Sequence, residues 1–373
     1  MSLNPLRLGA LKGALLAMPL VLLVLAGVAA PIGLLLWRSV EETEVAPALP
    51  RTQRALRLWD GKGLPDDLAF ETLATDLAAL RAAGVPGAEA IERAARRLAA
   101  DRPELAQALP GTAERSAETI TSRATSTLVA DPAWGEAENW AALQRAVAWP
   151  SSFHLLAAIG LRHRAEGGFE ESPQGPQARA QLGRGFGGAL LATLACLILA
   201  WPLARWIAGA APRRAAILAA ATLLPLLAGE AVRAAGWLPL LGMGSVAAFA
   251  VLALGLLPLM VLPVALALRQ AGPRLPRAAA TLGLSPWQVF RRIRLPQARG
   301  GIALGCALVF TQALGSFVAA ELLAPKTPTA ASALAAAARG GEWGTAGALA
   351  AFLLLPALLV AGLLLRFGRR GAA

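Results

Sequence analysis

RAAATLGLSPWQVFRRIRLP, residues 277–296, is a polar, Arg-rich segment between two apolar runs that are each long enough to cross a bilayer. We call this segment the elbow. Its chemistry predicts a helix, a turn and a second helix, because Gly283 stands where a left-handed C-terminal cap is needed and Ser285 can cap a helix that opens with Pro286. Pro296 is predicted to end that helix. A short helical elbow on the charged side of a membrane protein predicts contact with another protein.

The composition favours a membrane protein, since 56% of the residues are apolar, 16% are charged and the mean hydropathy is +0.56. The net charge of +12 could suggest a nucleic-acid partner, but the charges are segregated. Twenty of the 23 acids lie between Glu41 and Glu171, and the others are Glu230, Glu321 and Glu342. Arg and Lys outside that stretch cluster at the ends of apolar runs, as in membrane proteins, so we predict no nucleic-acid partner.

Apolar runs of about 20 residues predict membrane-spanning helices. The fold predicted is therefore all-α, a polytopic membrane protein with about six transmembrane helices and a mostly helical external insert between helices 1 and 2. The first run is longer than the apolar core of a secretory signal, so it is predicted to be an uncleaved anchor. The six runs are Ala14–Trp37, Phe186–Ala208, Ala215–Leu238, Ser245–Leu268, Ile302–Leu323 and Ala346–Leu365.

Charge also predicts the topology. With a cytoplasmic N-terminus, the Arg-rich loops and the Arg-rich tail all lie inside and the acidic segment lies outside. We therefore predict an N-terminal anchor helix in 1–38, an extracytoplasmic insert in 39–183, and a membrane core in 184–373 with a cytoplasmic loop at 269–300. Both termini are predicted to be cytoplasmic.

The insert is predicted to fold as a small helical domain. Asp66–Ala83 and Ala88–Ala100 carry apolar residues at helical spacing, with a break at Gly84–Gly87, and 167–175 is predicted to be a mobile linker. Solvent-facing residues of the second helix are predicted to be Glu89, Glu92, Arg93, Arg96 and Arg97. The predicted aromatic core consists of Trp134, Trp140 and Trp149.

The sequence offers no active-site chemistry. No Lys lies in a Gly-x4-Gly-Lys-Ser/Thr phosphate loop, and no nucleophile elbow, paired-carboxylate site or zinc motif occurs. His154 and His163 do not share a helix face and are predicted to be surface residues, whereas Cys196 and Cys306 lie in apolar runs and are predicted to be core residues. We therefore predict no catalytic activity, no cofactor and no metal.

The elbow resembles the cytoplasmic loop of ABC-importer permeases. The loop pattern there is Glu-Ala-Ala, three residues, Gly, nine residues, then Ile-x-Leu-Pro. Arg277 replaces the opening Glu of the pattern. The residues in register are Ala278, Ala279, Gly283, Ile293, Leu295 and Pro296.

From Arg184 onward the chain is similar to spermidine/putrescine-type permeases. The matching segments are Pro202-Leu203-Ala204, residues 232–237 and residues 315–318. The insert resembles an ectodomain carried by some polyamine-type permeases, through residues 48–52 and 59–65.

This resemblance implies a transport machine in a bacterial inner membrane, embedded in lipid. Its partners would be a cytoplasmic ABC ATPase dimer that hydrolyses ATP, a second permease subunit in a heterodimer, and an extracytoplasmic substrate-binding protein. The elbow would transmit ATPase closure to the spans. Trp287 and Phe290 would fill a groove on the ATPase, flanked by Arg291, Arg292 and Arg294; alternatively, both aromatic side chains fold back against the membrane surface.

Charges inside the predicted spans are further candidates for function. Glu230 and Arg233 lie three residues apart on one helix face, and an ionisable group in a bilayer usually faces the bundle interior. One interpretation is that Glu230 and Glu321 offer carboxylates to a polyamine, helped by cation–π contact with Trp237. The other is a Glu230–Arg233 ion pair that braces helices.

Two alternatives to a polyamine importer stay open at this point. The first is the same machine carrying another small solute. The second is a secondary transporter or a membrane-anchored interaction protein.

Overall fold

The computed structural model describes residues 17–118, 131–164 and 168–369. The chain divides into two compact units, of which the first comprises Met1–Gly175 with Gly341–Ala348 and the second Pro176–Gly340 with Leu349–Ala373. Residues 14–16 of the first predicted span lie outside the described residues, as do residues 1–16 of the predicted anchor region.

The first unit begins with a long apolar helix and continues with short helices and one antiparallel hairpin, in which Leu161 pairs with Glu171. Its elements are α1 (Ala17–Arg38), α2 (Pro50–Leu56), α3 (Asp67–Ala82), α4 (Val85–Ala99), α5 (Leu105–Glu118), α6 (Ala137–Val147), α7 (Phe153–Ala158), β1 (Leu161–His163) and β2 (Phe169–Glu171).

Helices α3 and α4 confirm the two amphipathic helices predicted for the insert. The Asp66 side chain caps α3 by accepting from the Ala69 backbone N–H, and Gly84 adopts φ +71° in the turn between the helices. The break is shorter than predicted, because α4 starts at Val85. Gly87 lies inside α4, where a Cβ would come 1.7 Å from the Leu80 carbonyl oxygen, so only glycine permits this close approach.

Two tryptophans form the centre of the first unit's core, as predicted. Trp134 and Trp140 are fully buried with ring centroids 5.1 Å apart, and each indole N–H has an acceptor, Thr112 for Trp134 and the Trp134 carbonyl for Trp140. The prediction was wrong for Trp149, which is 59% exposed and contacts Trp37 with a centroid distance of 5.6 Å.

Two residues predicted on the surface of the insert are buried. Arg97 lies between Glu42 and Asp101, at 3.4 and 3.2 Å, with its guanidinium over the Phe153 ring. His154 is also buried; burial, with a smaller contribution from the charge of Arg97, lowers its pKa from 6.5 to about 4 and keeps it neutral at pH 7. Periodicity missed the burial of Arg97 because Glu42 is distant in sequence.

The hairpin replaces part of the predicted linker. Residues 165–167 lie outside the described residues, but Phe169–Glu171 is a strand, and Glu170 forms an ion pair with Arg162 at 2.8 Å. The backbone at Gly160 approaches Gly175 so closely that a Cβ on Gly160 would lie 2.5 Å from the Gly175 Cα. The described part of this segment is therefore held in place rather than free.

The remainder of the chain is helical. Its elements are α8 (Gly175–Gly209), α9 (Pro212–Leu227), α10 (Glu230–Leu241), α11 (Ser245–Ala271), α12 (Arg274–Thr281), α13 (Pro286–Gly315), α14 (Val318–Leu323), α15 (Ala330–Arg339) and α16 (Trp343–Arg369). Among the described residues, five helices are long and apolar enough to cross a membrane, namely α1, α8, α11, α13 and α16, and a sixth span results if α9 and α10 are taken together. This confirms the prediction of an all-α polytopic membrane protein.

Two of the predicted spans are interrupted. The third apolar run, Ala215–Leu238, breaks between α9 and α10, whose axes differ by 88°. The fifth, Ile302–Leu323, breaks between α13 and α14, where Ser316 is extended. Mean hydropathy does not show either break, because both lie within long runs that are apolar on average despite Glu230, Arg233 and Ser316.

Helix α13 packs closely on α11 through two glycines one turn apart. A Cβ on Gly301 would lie 2.3 Å from the Pro263 carbonyl oxygen, and one on Gly305 would lie 2.6 Å from the Met260 sulfur. Small residues of this kind allow helix backbones to approach within a membrane. Cys196 is buried as predicted and its thiol donates to the Ala253 carbonyl of α11, whereas Cys306 is half-buried against the same core.

We predict that Gly301→Ala destabilises the purified protein by about 1–3 kcal/mol, because the added methyl overpacks the contact with α11. Gly300→Ala is the matched control, since a Cβ at position 300 meets no atom closer than 4.0 Å. The change also replaces glycine by a residue of higher helix propensity. Thermal unfolding in detergent should show a lower midpoint for the first variant only. Equal midpoints would contradict the packing described.

Candidate functional site

The turn of the elbow has the predicted capping geometry. Gly283 adopts φ +82°, its N–H donates to the Ala280 carbonyl, and the Leu284 N–H donates to the Ala279 carbonyl, which are the paired bonds of a Schellman cap. The Ser285 hydroxyl accepts from the backbone N–H of Gln288, whose side chain accepts in return from the Ser285 N–H. Both ends of the turn are therefore fixed by local bonds.

The predicted stop at Pro296 was wrong. The helix that opens at Pro286 continues without interruption to Gly315, so the second half of the elbow and the fifth span are one helix. A wider, π-helical turn covers Phe290–Arg294, in which the Leu295 N–H bonds to the Phe290 carbonyl, five residues back. This wider turn lies next to Pro296 and explains why the helix tolerates the proline. In a regular α-helix the proline ring clashes with the carbonyl four residues back.

The two aromatic residues of the elbow have different surroundings. Phe290 contacts the Trp201 ring of α8 edge-on at a centroid distance of 4.9 Å, so it anchors the elbow to the spans. Trp287 is 66% exposed and touches Phe290 at 5.2 Å. Leu282, which sequence reasoning did not select, is 80% exposed. Its place just before the Gly283 cap was the available signal, because a turn held by local bonds leaves that side chain outside.

The other elbow residues divide by exposure. Ala279 is buried and Ile293 half-buried, whereas Arg277, Ala278, Leu295 and Pro296 face outward. The sequence contains no Asp or Glu within the elbow. The exposed surface of the elbow is therefore basic, with apolar side chains between the charges.

Arg233 stabilises the break between α9 and α10. Its guanidinium Nη1 donates to the carbonyl oxygens of Pro225 and Ala228, at the end of α9, where helical partners are missing. A cation is also favourable at a helix C-terminus. Gly255 of α11 makes room for this group, because a Cβ there would lie 2.5 Å from the Arg233 Nη2 atom.

Glu230 joins that break to the break in the fifth span. Its Oε1 atom accepts from the Ser316 hydroxyl and, at 2.9 Å, from the Ala319 backbone N–H in the first turn of α14. Since Arg233 is bonded to carbonyls of α9, the interpretation of Glu230 and Arg233 as a mutual ion pair does not hold. Within the described residues, Glu230 Oε2 makes no hydrogen bond with the protein.

The remaining candidates lie near this junction. Trp237 packs on a small cluster shared by α10, α11 and α14 that contains Ala234, Val251 and Ala319. Glu321, on α14, forms an ion pair with Arg339 at 2.5 Å, so its charge is offset. Of the two carboxylates predicted to attract a cation, only Glu230 lacks a cationic partner among the described residues.

A cavity of about 330 Å³ lies beside the junction, between α8, α11, α13 and α14. Ser316 and Ala319, which bind Glu230, form part of its wall. The wall is mostly apolar, and its polar groups include Ser245, Thr327 and Arg184, whose Nε–H donates to the Pro328 carbonyl at 2.8 Å. No cluster of His, Cys, Asp or Glu in the described part of the chain could hold a metal ion.

Comparison with known proteins identifies the family. Residues 189–370 match the model of the "Binding-protein-dependent transport system inner membrane component" family. The chain is also 32% identical over 218 residues to the inner membrane ABC transporter permease protein YdcU of Escherichia coli strain K12, covering 49% of this chain and 69% of that one. The chain belongs to this family. It is accordingly a transport permease, not an enzyme.

Other relatives differ in the substrates that they are named for. The spermidine/putrescine transport system permease protein PotB of Escherichia coli strain K12 is 31% identical over 157 residues, covering 36% of this chain and 57% of PotB. The sulfate transport system permease protein CysT of the same organism is 33% identical over 122 residues, covering 31% and 44%. The chain thus spans about half the length of these two relatives.

We predict that Arg233→Met lowers the stability of the purified protein by about 1–3 kcal/mol, because it leaves two half-buried carbonyls at the end of α9 without these donors. Glu230→Gln should change stability much less, since its amide oxygen can still accept the bonds from Ser316 and Ala319. Equal losses for the two variants would instead support a Glu230–Arg233 ion pair. Unfolding midpoints in detergent measure the difference.

Proposed function

We propose that this chain is the permease subunit of an ABC importer for polyamines, coupled through the elbow to a cytoplasmic ATPase dimer. The observation that carries the proposal is the continuity of α13. This helix starts at the capped turn of the elbow and ends beside the Glu230 junction, 30 residues later. At 1.5 Å per residue, about 45 Å of unbroken helix links the docking surface to the break in the fifth span.

The surface of the elbow suits an ATPase partner. Leu282 and Trp287 offer apolar anchors, and the surrounding arginines favour acidic groups on the rim of a groove. Arg277 stands where the family pattern has Glu, so we expect its contact on the ATPase to be a carboxylate. Phe290 contacts the Trp201 ring of α8, so a movement of the elbow would be transmitted to α8 through this contact.

The other parts of the machine follow from the same proposal. A second permease subunit, forming a heterodimer with this chain, completes the translocation path, and a binding protein delivers the substrate outside the membrane. The elbow and both termini of the chain lie on the cytoplasmic side of the membrane, while residues 39–183 fold on the outer side. Partner ATPases hydrolyse ATP.

The junction favours a cationic substrate. Glu230 offers an unshared carboxylate oxygen next to a helix break, and a carboxylate there can replace water lost by an ammonium group, which apolar side chains cannot do. PotB, named for spermidine and putrescine, supports this substrate class. CysT, named for sulfate, shows that family membership alone does not fix it, but a carboxylate at the junction would repel an anion. The same machine importing another small solute is the alternative; family membership disfavours a secondary transporter.

If the elbow couples the ATPase to transport, Gly283→Val should lower the rate of polyamine uptake roughly tenfold or more, while the protein still inserts into the membrane. A β-branched residue is strained at φ +82° and would distort the turn. Gly362→Val is the control for the same change of side chain, because Gly362 is an exposed helical glycine of α16 outside the elbow, where a Cβ meets nothing within 4 Å. Uptake and substrate-stimulated ATP hydrolysis are measured in vesicles containing the whole complex. Normal coupling in the Gly283 variant would refute the role of the elbow.

The substrate proposal predicts that Glu230→Gln slows spermidine uptake severalfold at unchanged complex yield, because the charge is lost and the hydrogen bonds remain. Glu321→Gln should have a smaller effect, since the charge of Glu321 is already offset by Arg339. Normal spermidine uptake by Glu230→Gln would exclude the carboxylate from the path. If the wild-type complex takes up no polyamine but its ATP hydrolysis is stimulated by another solute, the proposal of an ABC importer is kept and the proposed substrate is wrong.

A further inference from the structure

A second cavity, of about 780 Å³, lies between the end of α8 and the start of α9. Its wall contains Arg205 and Trp206 of α8 together with Arg214 and Ile217 of α9. It lies at the opposite end of α9 from the break at Ala228–Gly229, and none of the residues assigned to coupling or to the substrate path lines it. The cavity therefore needs its own explanation.

The arginines of this cavity have no counter-ion within the second unit. The sequence contains no Asp or Glu from 172 to 229 or from 231 to 320. Glu230 is bonded to Ser316 and Ala319, and Glu321 is paired with Arg339. Arg294 lies within electrostatic range of Arg205 and adds to the positive field. No carboxylate of the second unit therefore offsets this charge, which leaves the cavity attractive to an anion.

The start of α9 adds to the attraction for an anion. Ala211, its N-cap residue, lines the cavity and provides no side-chain cap for the first N–H groups. The N-terminus of a helix attracts anions through these N–H groups and through the helix dipole. Arg214 lies in the first turn of the same helix, so cationic side chain and helix terminus act together.

The rest of the wall is apolar and exposed. Trp206 is 63% exposed and Ile217 is 67% exposed. Both lie where two apolar helices end, which is the level of lipid headgroups, and tryptophan is enriched at that level. A soluble anion would leave these side chains uncovered, whereas acyl chains would cover them.

We propose that this cavity binds an anionic phospholipid. The phosphate lies between Arg205, Arg214 and the start of α9, and the acyl chains lie along Trp206 and Ile217. Basic pockets between transmembrane helices bind anionic headgroups in this manner. The site is independent of the substrate proposal, because none of these residues contacts the Glu230 junction.

The test compares lipid retention by the full-length protein in nanodiscs made from phosphatidylethanolamine and a minority of phosphatidylglycerol, with bound lipid measured by mass spectrometry. Wild-type protein should retain phosphatidylglycerol selectively. Arg205→Gln/Arg214→Gln should lose roughly thirtyfold in affinity, at about fivefold per arginine. Both side chains are exposed, so folding is unaffected. Arg269→Gln/Arg366→Gln removes two exposed arginines outside the cavity and should stay within about twofold of wild type.

Four outcomes would overturn the proposal. Equal loss in the control variant would mean that diffuse surface charge, not the cavity, attracts the lipid. If inorganic phosphate displaces phosphatidylglycerol as well as a short-chain phosphatidylglycerol does, or if Trp206→Ala leaves retention unchanged, acyl chains do not use the wall. If retention vanishes when the partner subunits are co-purified, an acidic protein surface occupies the cavity instead.

Discussion

The hydrogen bonds of the Glu230 carboxylate connect two interrupted spans, and the arrangement of the second unit depends on them. Within hydrocarbon, every backbone polar group must find a partner inside the protein, so a helix break survives only where side chains supply one. Glu230 supplies an acceptor to the start of α14, and Arg233, one turn later, supplies donors to the end of α9. Two charged residues on one short helix thus stabilise two separate breaks.

The positions of the breaks determine which parts of the second unit can move. Gly301 and Gly305 hold α13 against α11 with almost no clearance, so these two helices respond to force as one body. We expect any relative movement of these helices to occur where helical bonding is interrupted, at the junction of α9, α10, α13 and α14. A movement of the elbow would be transmitted to this junction, because α13 has no break along its length.

Local chemistry explains which features the sequence could predict. The caps at Gly283 and Ser285 depend on bonds to residues at most five positions away, and the long apolar runs depend on composition alone, so both were predicted. The break at Ala228–Gly229 lies within a run predicted to be one span. The sequence left open whether Glu230 and Arg233 there form an ion pair or whether Glu230 serves the substrate, and neither interpretation includes bonds from Arg233 to the α9 carbonyls. Arg97 and His154 are buried by contacts with residues far away in sequence, which periodicity cannot show. The roles of the site residues in transport stay predictions.

The distribution of charge is compatible with the proposed cationic substrate, although the protein as a whole is basic. The charge of Arg233 is taken up by carbonyl groups of α9, which leaves Glu230 as the unshared charge at the junction. The remaining arginines of the second unit gather mainly near the elbow and at the ends of the spans, where headgroups and partner proteins can neutralise them. Charge near a span end is screened by salt over about 8–10 Å, whereas a carboxylate in a low-dielectric junction is screened much less. A cation at the junction would therefore interact mainly with Glu230. The arginines would interact mainly with the membrane surface and with the partners bound there.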